Sequence, residues 1–494
     1  MFKIGFDNEK YTELQSARIL ERVEQFGGKL YLEFGGKLFD DYHAARVLPG
    51  FQPDSKMRML LQLKEQAEII ICISADDIEK NKRRGDLDIT YDADVMRLID
   101  AFRGYGLFVG SVVLTRYNSQ HIADQFEKRL RALDIPVYHH YSIPDYPSNL
   151  PLIFSENGFG KNEYIKTQRP IAVVTAPGPG SGKMATCLSQ LYHENKLGIK
   201  AGYAKYETFP VWNLPLKHPV NLAYEAATAD LSDVNMIDPF HLEAYGATSV
   251  NYNRDIEIFP VLEAMFKSIY GTCPYKSPTD MGVNMAGYAI VDDAVCCEAS
   301  KQEIIRRHFA AQYNAKRGLS RPGELQKLDM LMQSLQLDIS MRKCVPAALA
   351  VAERTGEPAV AMELPDGTVI TGKTTTLMGA SCAALLNALK YLAGIDDEIK
   401  LIAPEVLMPI MDLKLHHLGN HNPRLHTDEI LIALAMSAVT DPIAAKAMAE
   451  LSNLKGSEVH SSVVLASVDD GVLKKLGANV TWEPVLQAKK LYHK

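Results

Sequence analysis

Residues 170–191, PIAVVTAPGPGSGKMATCLSQL, run from an apolar stretch through a glycine-rich loop into a helix-forming segment. Strand, glycine loop and helix, in that order, are the structural context that a phosphate-binding P-loop requires. Gly178, Gly180 and Gly182 let the backbone turn tightly, with φ > 0 where needed, so that amide N–H groups converge on an anion. The helix that begins near Lys183 adds its positive end and its unpaired first-turn amides. The Lys183 ammonium can then neutralise phosphate oxygens. The cofactor-binding set read from this stretch is Gly178, Gly180, Ser181, Gly182, Lys183 and Thr186. Two departures from the full P-loop pattern matter. Pro177 stands where the first glycine is expected, and Met184 replaces the hydroxyl residue that holds Mg²⁺, leaving that role to Ser181 or Thr186.

Outward from the loop, the pattern alternates. KLYLEF (29–34), EIIICIS (68–74), LFVGSVVLT (107–115) and IPVYHHY (135–141) read as strands, and KAGYAKYETF (200–209) as the strand after the loop helix. The second to fourth are apolar on successive residues, the mark of parallel strands covered on both faces. Helices fall between them, at SARILERVEQF, VMRLIDAFRGYG and IADQFEKRLRALD. Strand–helix–strand order implies right-handed crossovers and a doubly wound sheet. LPLIF (150–154) and IEIFPVL (256–262) also read as strands. Residues 300–342 are mostly helical. From Val345 the order resets: a helix, the hairpin AVAMELP-DG-TVITGK, a long apolar helix, the strand EIKLIAP, a helix that Thr427 caps, and further helix–strand units ending in NVTWEP. The boundaries so drawn are 1–298, a Rossmann-like α/β part with the P-loop-like segment; 299–344, a helical spacer; and 345–494, a three-layer α/β domain.

At 494 residues the chain is too long for one core. A net charge of −7 argues against a broad nucleic-acid surface, since tracking a duplex needs clustered cations. The basic run Lys80–Arg84 reads as a solvated helix end beside an acidic segment. Seven scattered cysteines without CxxC spacing, Cys296–Cys297 being the one adjacent pair, fit free thiols in a reducing cytoplasm. No apolar run reaches membrane-spanning length, and the N-terminus lacks a signal-peptide stretch.

Other constellations compete for chemistry. GGKLFDDYHAARVLPGFQPDSK (35–56) follows the first strand at the end where open α/β sheets bind ligands, and Lys37, Asp40, Asp41, His43 and Arg46 offer a base, acids and an anion clamp. The catalytic set read from the sequence is Lys183, Asp41, His43 and Arg46. Asn157–Lys161 (NGFGK) is a second glycine loop, and Asn253, Arg254 and Asp255 form a possible anion contact. Asp230, Asp233, Asp238 and His241 offer carboxylates for a cation near the phosphates. His416, His417, His421 and His426 match no zinc spacing, so no metal ligand set is assigned. Gly367–Thr374 (GTVITGKT) fits the P-loop pattern letter by letter, but its β-branched interior belongs to a hairpin arm.

Two resemblances follow. The order of the C-terminal elements resembles the cytidine-deaminase-like fold, whose zinc-ligand helix finds its nearest match here at Cys382-Ala383-Ala384; the catalytic glutamate position holds alanine and the cysteine pair is missing, so zinc chemistry is not implied. The whole chain resembles a bacterial family catalogued as domain of unknown function eighteen forty-six, through GGKLFDDYHAARVLPGF (35–51), VVTAPGPGSGKMATCLSQLYHE (173–194), SPTDMGVNMAG (277–287), EASKQEIIRR (298–307) and GKTTTLMGASCAALLNALK (372–390). That resemblance implies a Rossmann-like part, a helical insertion and an α/β C-terminal domain, without a reaction.

The reading that unites these signals is a cytoplasmic, homo-oligomeric, phosphate-dependent transferase or ligase. It would bind ATP, another nucleotide or a phosphorylated small molecule, with magnesium only if a substitute hydroxyl holds it, and without zinc, nucleic acid or membrane. The alternative is a non-catalytic nucleotide-sensing or assembly protein. A dinucleotide oxidoreductase is disfavoured because no GxGxxG is followed by an acid about 20 residues on.

Overall fold

The computed structural model describes residues 3–36, 38–39, 41–84, 88–231 and 233–486. The chain divides into two compact units, one formed by 4–225 with 233–299 and the other mainly by 300–494 with 226–232. The helix Asp293–Lys316 spans the boundary, and 300–344 group with the second unit. Among the described residues no helix is long and apolar enough to cross a membrane.

The first unit is built on a seven-stranded sheet: β1 Leu30–Phe34, β2 Ala67–Ser74, β3 Phe108–Tyr117, β4 Val137–Tyr141, β5 Ile171–Thr175, β6 Gly202–Tyr206 and β7 Gly282–Val283. Its order is β7-β6-β1-β5-β2-β3-β4, with every pairing parallel. β1, β2 and β5 are buried along their whole lengths, which is why their sequences are apolar without alternation. On one face, Leu32, Ile71, Leu114 and Val173 meet Ile19, Leu60, Phe102 and Phe126 of the helices Asn8–Gln25, Ser55–Gln62, Tyr91–Gly104 and His121–Arg131. On the other, Ile70, Val113, Val174 and Tyr203 meet Leu188 and Leu191 of Lys183–Lys196 and Leu262 and Phe266 of Asn253–Tyr270.

The chain therefore leaves β5 toward one face and β2 toward the other. Where two adjacent strands diverge in this way, a crevice opens at their C-terminal ends.

The second unit carries the sheet β9-β8-β10-β11, made of β8 Ala359–Glu363, β9 Val369–Lys373, β10 Glu458–Ser461 and β11 Asn479–Trp482. β8 is antiparallel to both neighbours, while β10 and β11 are parallel. The Asp366-Gly367 turn closes the β8–β9 hairpin, so GTVITGKT is a hairpin arm. Val360, Met362 and Val459 pack against Leu385, Leu389, Ile430 and Leu434 of the helices Ala380–Leu392 and Thr427–Ser437.

Four local expectations are corrected. IEIFPVL lies inside the helix Asn253–Tyr270, where Ile256, Phe259, Leu262, Phe266 and Ile269 bury one face at three- to four-residue spacing and Pro260 sits on the exposed side. LPLIF begins the short helix Leu150–Ile153, capped by Asn149, whose side chain accepts from the Leu152 amide at 3.3 Å. EIKLIAP forms turns, from which Leu401 and Ile402 pack into the hydrophobic core of this unit. His426, rather than Thr427, is the N-cap of Thr427–Ser437, and Thr427 donates its amide and hydroxyl to Asp469.

A buried ion network holds the second unit. Glu458 on β10 lies between Arg306, at 2.8 Å, and the fully buried Arg342, at 2.5 Å, while Glu303 takes the other side of Arg306 at 2.9 Å. Burial opposes ionisation of Glu458, but the two guanidinium groups outweigh it and hold the carboxyl below the usual glutamate range. Its contribution is thus complete above that range and lost as pH falls through the lowered value. Glu458→Gln leaves two buried cations short of charge and should destabilise this unit by about 3–5 kcal/mol at pH 7. Urea titrations of both proteins check this, and the gap should narrow in acid.

Candidate anion-binding site

The loop Pro177–Gly182 leaves the C-terminal end of β5 and turns into the fourteen-residue helix Lys183–Lys196. Gly180 has φ +76° and Gly182, the N-cap, φ +85°, while Ser181 between them stays at negative φ. Alternating signs of φ point successive amides toward one side, which makes a concave anion nest. The backbone N–H groups of Gly180, Ser181, Gly182, Lys183, Met184 and Ala185 have no hydrogen-bond acceptor among the described residues. Three of these belong to the first turn of the helix, where no intrahelical partner exists.

The loop is fixed from below. Thr115 Oγ1, at the end of β3, donates to the Ser181 carbonyl at 2.9 Å, and its side chain lies about 3.0 Å from where a Gly182 side chain would start. Ser181 is fully buried and donates its hydroxyl to the Gly178 carbonyl at 2.9 Å. A methyl on Gly178 would run into the Tyr91 phenol. Lys183 is half-buried at the mouth and makes no ion pair among the described residues.

Gly178, Gly180, Ser181, Gly182 and Lys183 therefore share one cradle. Thr186 does not join it. Its hydroxyl is buried beneath, 3.4 Å from both Cys72 Sγ and His140 Nδ1. His140 is buried as well, and Gln190 Nε2 lies 3.1 Å from its Nε2. Burial pushes this imidazole down to about 3.

Asp41, His43 and Arg46 follow β1, the strand next to β5, at the same end of the sheet. Lys37 and Asp40 lie outside the described residues. Asp41 caps the helix Tyr42–Val47, accepting from the Ala44 amide at 3.2 Å, and pairs with Lys56 at 2.9 Å. Burial opposes its ionisation, but Lys56 leads the interactions that hold its carboxyl below the usual range. His43 packs on Phe209 and Tyr224, and Arg46 is half-buried in the last turn of that helix.

Of a cluster beside them, the sequence reading singled out Asp255 alone. Lys205 on β6 pairs with Glu207 at 2.7 Å and with Asp255 at the start of the helix Asn253–Tyr270. Glu33, opposite Lys205 in the β1–β6 register, accepts from Tyr203 Oη at 2.7 Å. Burial, with Asp255 adding to it, raises the Glu207 carboxyl above the usual range although Lys205 partly offsets it. The rings of Phe209, Tyr224 and Tyr252 form a row from His43 to Lys205. Residue 43, the pair 205 and 207, and residue 255 are far apart in sequence, so only the fold brings them together.

The remaining candidates disperse. Asp230 pairs with Arg321, Asp233 with Arg254, Asp238 caps the helix Pro239–Tyr245, and His241 Nδ1 lies 3.1 Å from Ser277 Oγ. NGFGK closes a packed turn in which Phe159 is buried and Lys161 lies over the Tyr141 ring. His416 pairs with Asp412 at 3.6 Å and His426 with Asp469 at 3.1 Å. One unexpected trio, His218, Asp293 and Cys297, has the proximity of metal ligands. However, the Val220 amide donates to His218 Nδ1 at 3.3 Å, which places the neutral ring's proton on Nε2, facing Asp293 at 3.0 Å. A metal-bound imidazole needs the reverse arrangement.

Family models cover almost the whole chain: domain of unknown function DUF1846, N-terminal, over residues 4–336, and its C-terminal counterpart over 340–492. The chain belongs to the DUF1846 family. Similar relatives include UPF0371 proteins of Streptococcus pneumoniae and Streptococcus thermophilus, both 58% identical over 494 residues, and of Streptococcus pyogenes, 57% identical, with 100% of each chain covered. The strings that carried the resemblance include this family member's cradle, residues 173–194.

His140 ties the cradle to stability. The imidazole is neutral when folded and protonates near pH 6.5 when unfolded, so its contribution is complete above that value and is lost as pH falls toward about 3. Unfolding free energy should drop by about 1.4 kcal/mol per pH unit below ~6.5 from this group. Denaturant titrations at pH 7 and pH 5 should show that drop, and His140→Gln should flatten it.

Proposed function

We propose that this protein is a phosphate-dependent transferase or ligase whose Gly178–Lys183 loop holds the phosphate of a nucleotide or a phosphorylated metabolite. One observation carries the reading: among the described residues, six successive amides, Gly180 to Ala185, have no acceptor and end at a helix N-terminus beside a lysine, Lys183, that makes no ion pair. A phosphate supplies the acceptors that this backbone lacks. The position of the loop, at the point where the chain leaves adjacent strands toward opposite faces, supports a Rossmann-like, doubly wound and P-loop-like description of the first unit. The β9-β8-β10-β11 order with β8 reversed supports a cytidine-deaminase-like topology for the second.

In this reading Lys183 neutralises charge on the transferred group, and transfer proceeds by positioning and charge neutralisation. The second substrate lies toward β1 and β6, where Asp41, His43, Arg46 and the Lys205–Glu207–Asp255 group offer acids, bases and an anion contact. Seven cysteines, none of them in a disulfide among the described residues, support a reducing, cytoplasmic setting.

A specific observation favours the second reading, a non-catalytic nucleotide sensor or an assembly protein that works as a homo-oligomer. Ser181 Oγ is spent on the Gly178 carbonyl and Thr186 Oγ1 is buried against Cys72 and His140. Neither hydroxyl faces the cradle to hold Mg²⁺, and sensing does not require magnesium-assisted transfer.

Thermal denaturation against ATP, ADP and inorganic phosphate tests the shared claim. A nucleotide at 100 times its dissociation constant should add about 2.7 kcal/mol of stability. Lys183→Ala should weaken that nucleotide at least about tenfold, the loss of one charge-assisted contact. An unchanged response in Lys183→Ala refutes the cradle. Phosphate release or transfer assayed with and without Mg²⁺ then separates enzyme from sensor.

A further inference from the structure

In the second unit, a cavity of about 30 Å³ opens at the end of β10, with room for roughly two water-sized groups. Gly379 and Ala466, the N-caps of the helices Ala380–Leu392 and Ser467–Lys475, both line it. Neither residue has a side-chain acceptor, so both helices begin uncapped. The amides of Ala380, Ser381 and Cys382 in one first turn, and of Ser467, Val468 and Asp469 in the other, have no acceptor among the described residues.

Uncapped helices alone would not define a site, but the side chains around them are also unsatisfied. Ser381, 2% exposed, and Thr374, 6% exposed, line the cavity, and neither hydroxyl has a partner among the described residues. Ser381 Oγ lies 3.8 Å from where a Gly379 side chain would start, so it points toward the open end of its helix. Arg424 reaches the same cavity, and its guanidinium has no carboxylate partner among the described residues.

The one acid in the wall, Asp469, is already engaged. Its carboxylate accepts from the Thr427 amide at 2.8 Å, from Thr427 Oγ1 at 3.0 Å and from His426 Nδ1 at 3.1 Å. Two helix N-termini, two hydroxyls on buried residues and a guanidinium thus present donors and positive charge, with no acceptor for them among the described residues.

We propose that this cavity binds the carboxylate or phosphate group of a small molecule, with Arg424, Ser381, Thr374 and the first-turn amides of the two helices as its donors. The site is separate from the Gly178–Lys183 cradle. Its size suits the oxygens of one such group, with the rest of the molecule outside the mouth.

The full chain is titrated with inorganic phosphate and, separately, with acetate, following its melting temperature and, for phosphate, ³¹P line broadening. One of the two anions should stabilise the wild type and Lys183→Ala alike, and which one does so distinguishes phosphate from carboxylate. Arg424→Gln should weaken that response at least about tenfold.

Gly379→Asp is a second, foldable variant. The Gly379 backbone, at φ −69° and ψ 163°, is open to any residue, and the nearest atom to its added side chain lies 3.8 Å away. The new carboxylate should cap the helix from within, raise the melting temperature without added anion and abolish the response to it. The inference falls if neither anion acts on the wild type, or if both Arg424→Gln and Gly379→Asp respond as the wild type does. It also falls if Lys183→Ala alone removes the response, which would place all binding at the cradle. Retention in Lys183→Ala with loss in Arg424→Gln supports it, whatever the fate of the cradle reading.

Discussion

The insertion of β5 between β1 and β2 is the constraint on which the first unit depends. Ile171 to Thr175 are buried on both faces, so the strand can end only by releasing its chain beyond the C-terminal end of the sheet. There the helix Lys183–Lys196 departs toward Tyr31, Cys72 and Tyr203, while the helices after β2 take the opposite face. The loop must therefore reverse direction within a few residues, directly above the divergence. Two positive-φ glycines make that reversal possible without the ~1–2 kcal/mol that each such position costs another residue. Their consequence is a row of amides that no strand or helix can satisfy.

How much of this was legible follows from the range of each interaction. Strands buried on both faces announce themselves locally, as EIIICIS and IAVVT do, because nearly every position must be apolar. The loop was legible for the same reason: its glycines answer to backbone geometry, which is local. The false P-loop at Gly367 was separable because Thr-Val-Ile-Thr favours a strand, and Gly372 turns out to make room for the backbone of Ala383 and Ala384. IEIFPVL misled because its apolar residues follow a three-to-four spacing that only an eighteen-residue helix reveals. LPLIF misled because one Asn cap outweighs a short apolar run.

Site chemistry was less legible, since it depends on pairings between distant residues. Glu33 and Lys205 look like unremarkable polar residues in apolar strands until the β1–β6 register sets them opposite each other. The only local hint is that each interrupts a buried run, where an unpaired charge would be costly. Thr186 shows the converse. Its position one turn into the helix suggested the cradle, yet the 3.6-residue period turns it inward to Cys72 and His140. Spacing along a helix fixes direction, and direction decided against it.

The carboxyl groups near the cradle raise an electrostatic question. Glu33, Glu207 and Asp255 lie around Lys205, at the same end of the sheet as Lys183. Where these carboxyls are ionised, their negative charge opposes an incoming phosphate. The raised Glu207 carboxyl offers relief, because burial and Asp255 favour its protonated form. The same linkage runs in both directions. On the proposed reading, an anion seated at Lys183 would raise the proton affinity of Glu207, and a proton on Glu207 would tighten the anion by an equal factor. On the proposed reading, a cradle on the same side of the sheet as these acids would couple phosphate binding to proton uptake at Glu207.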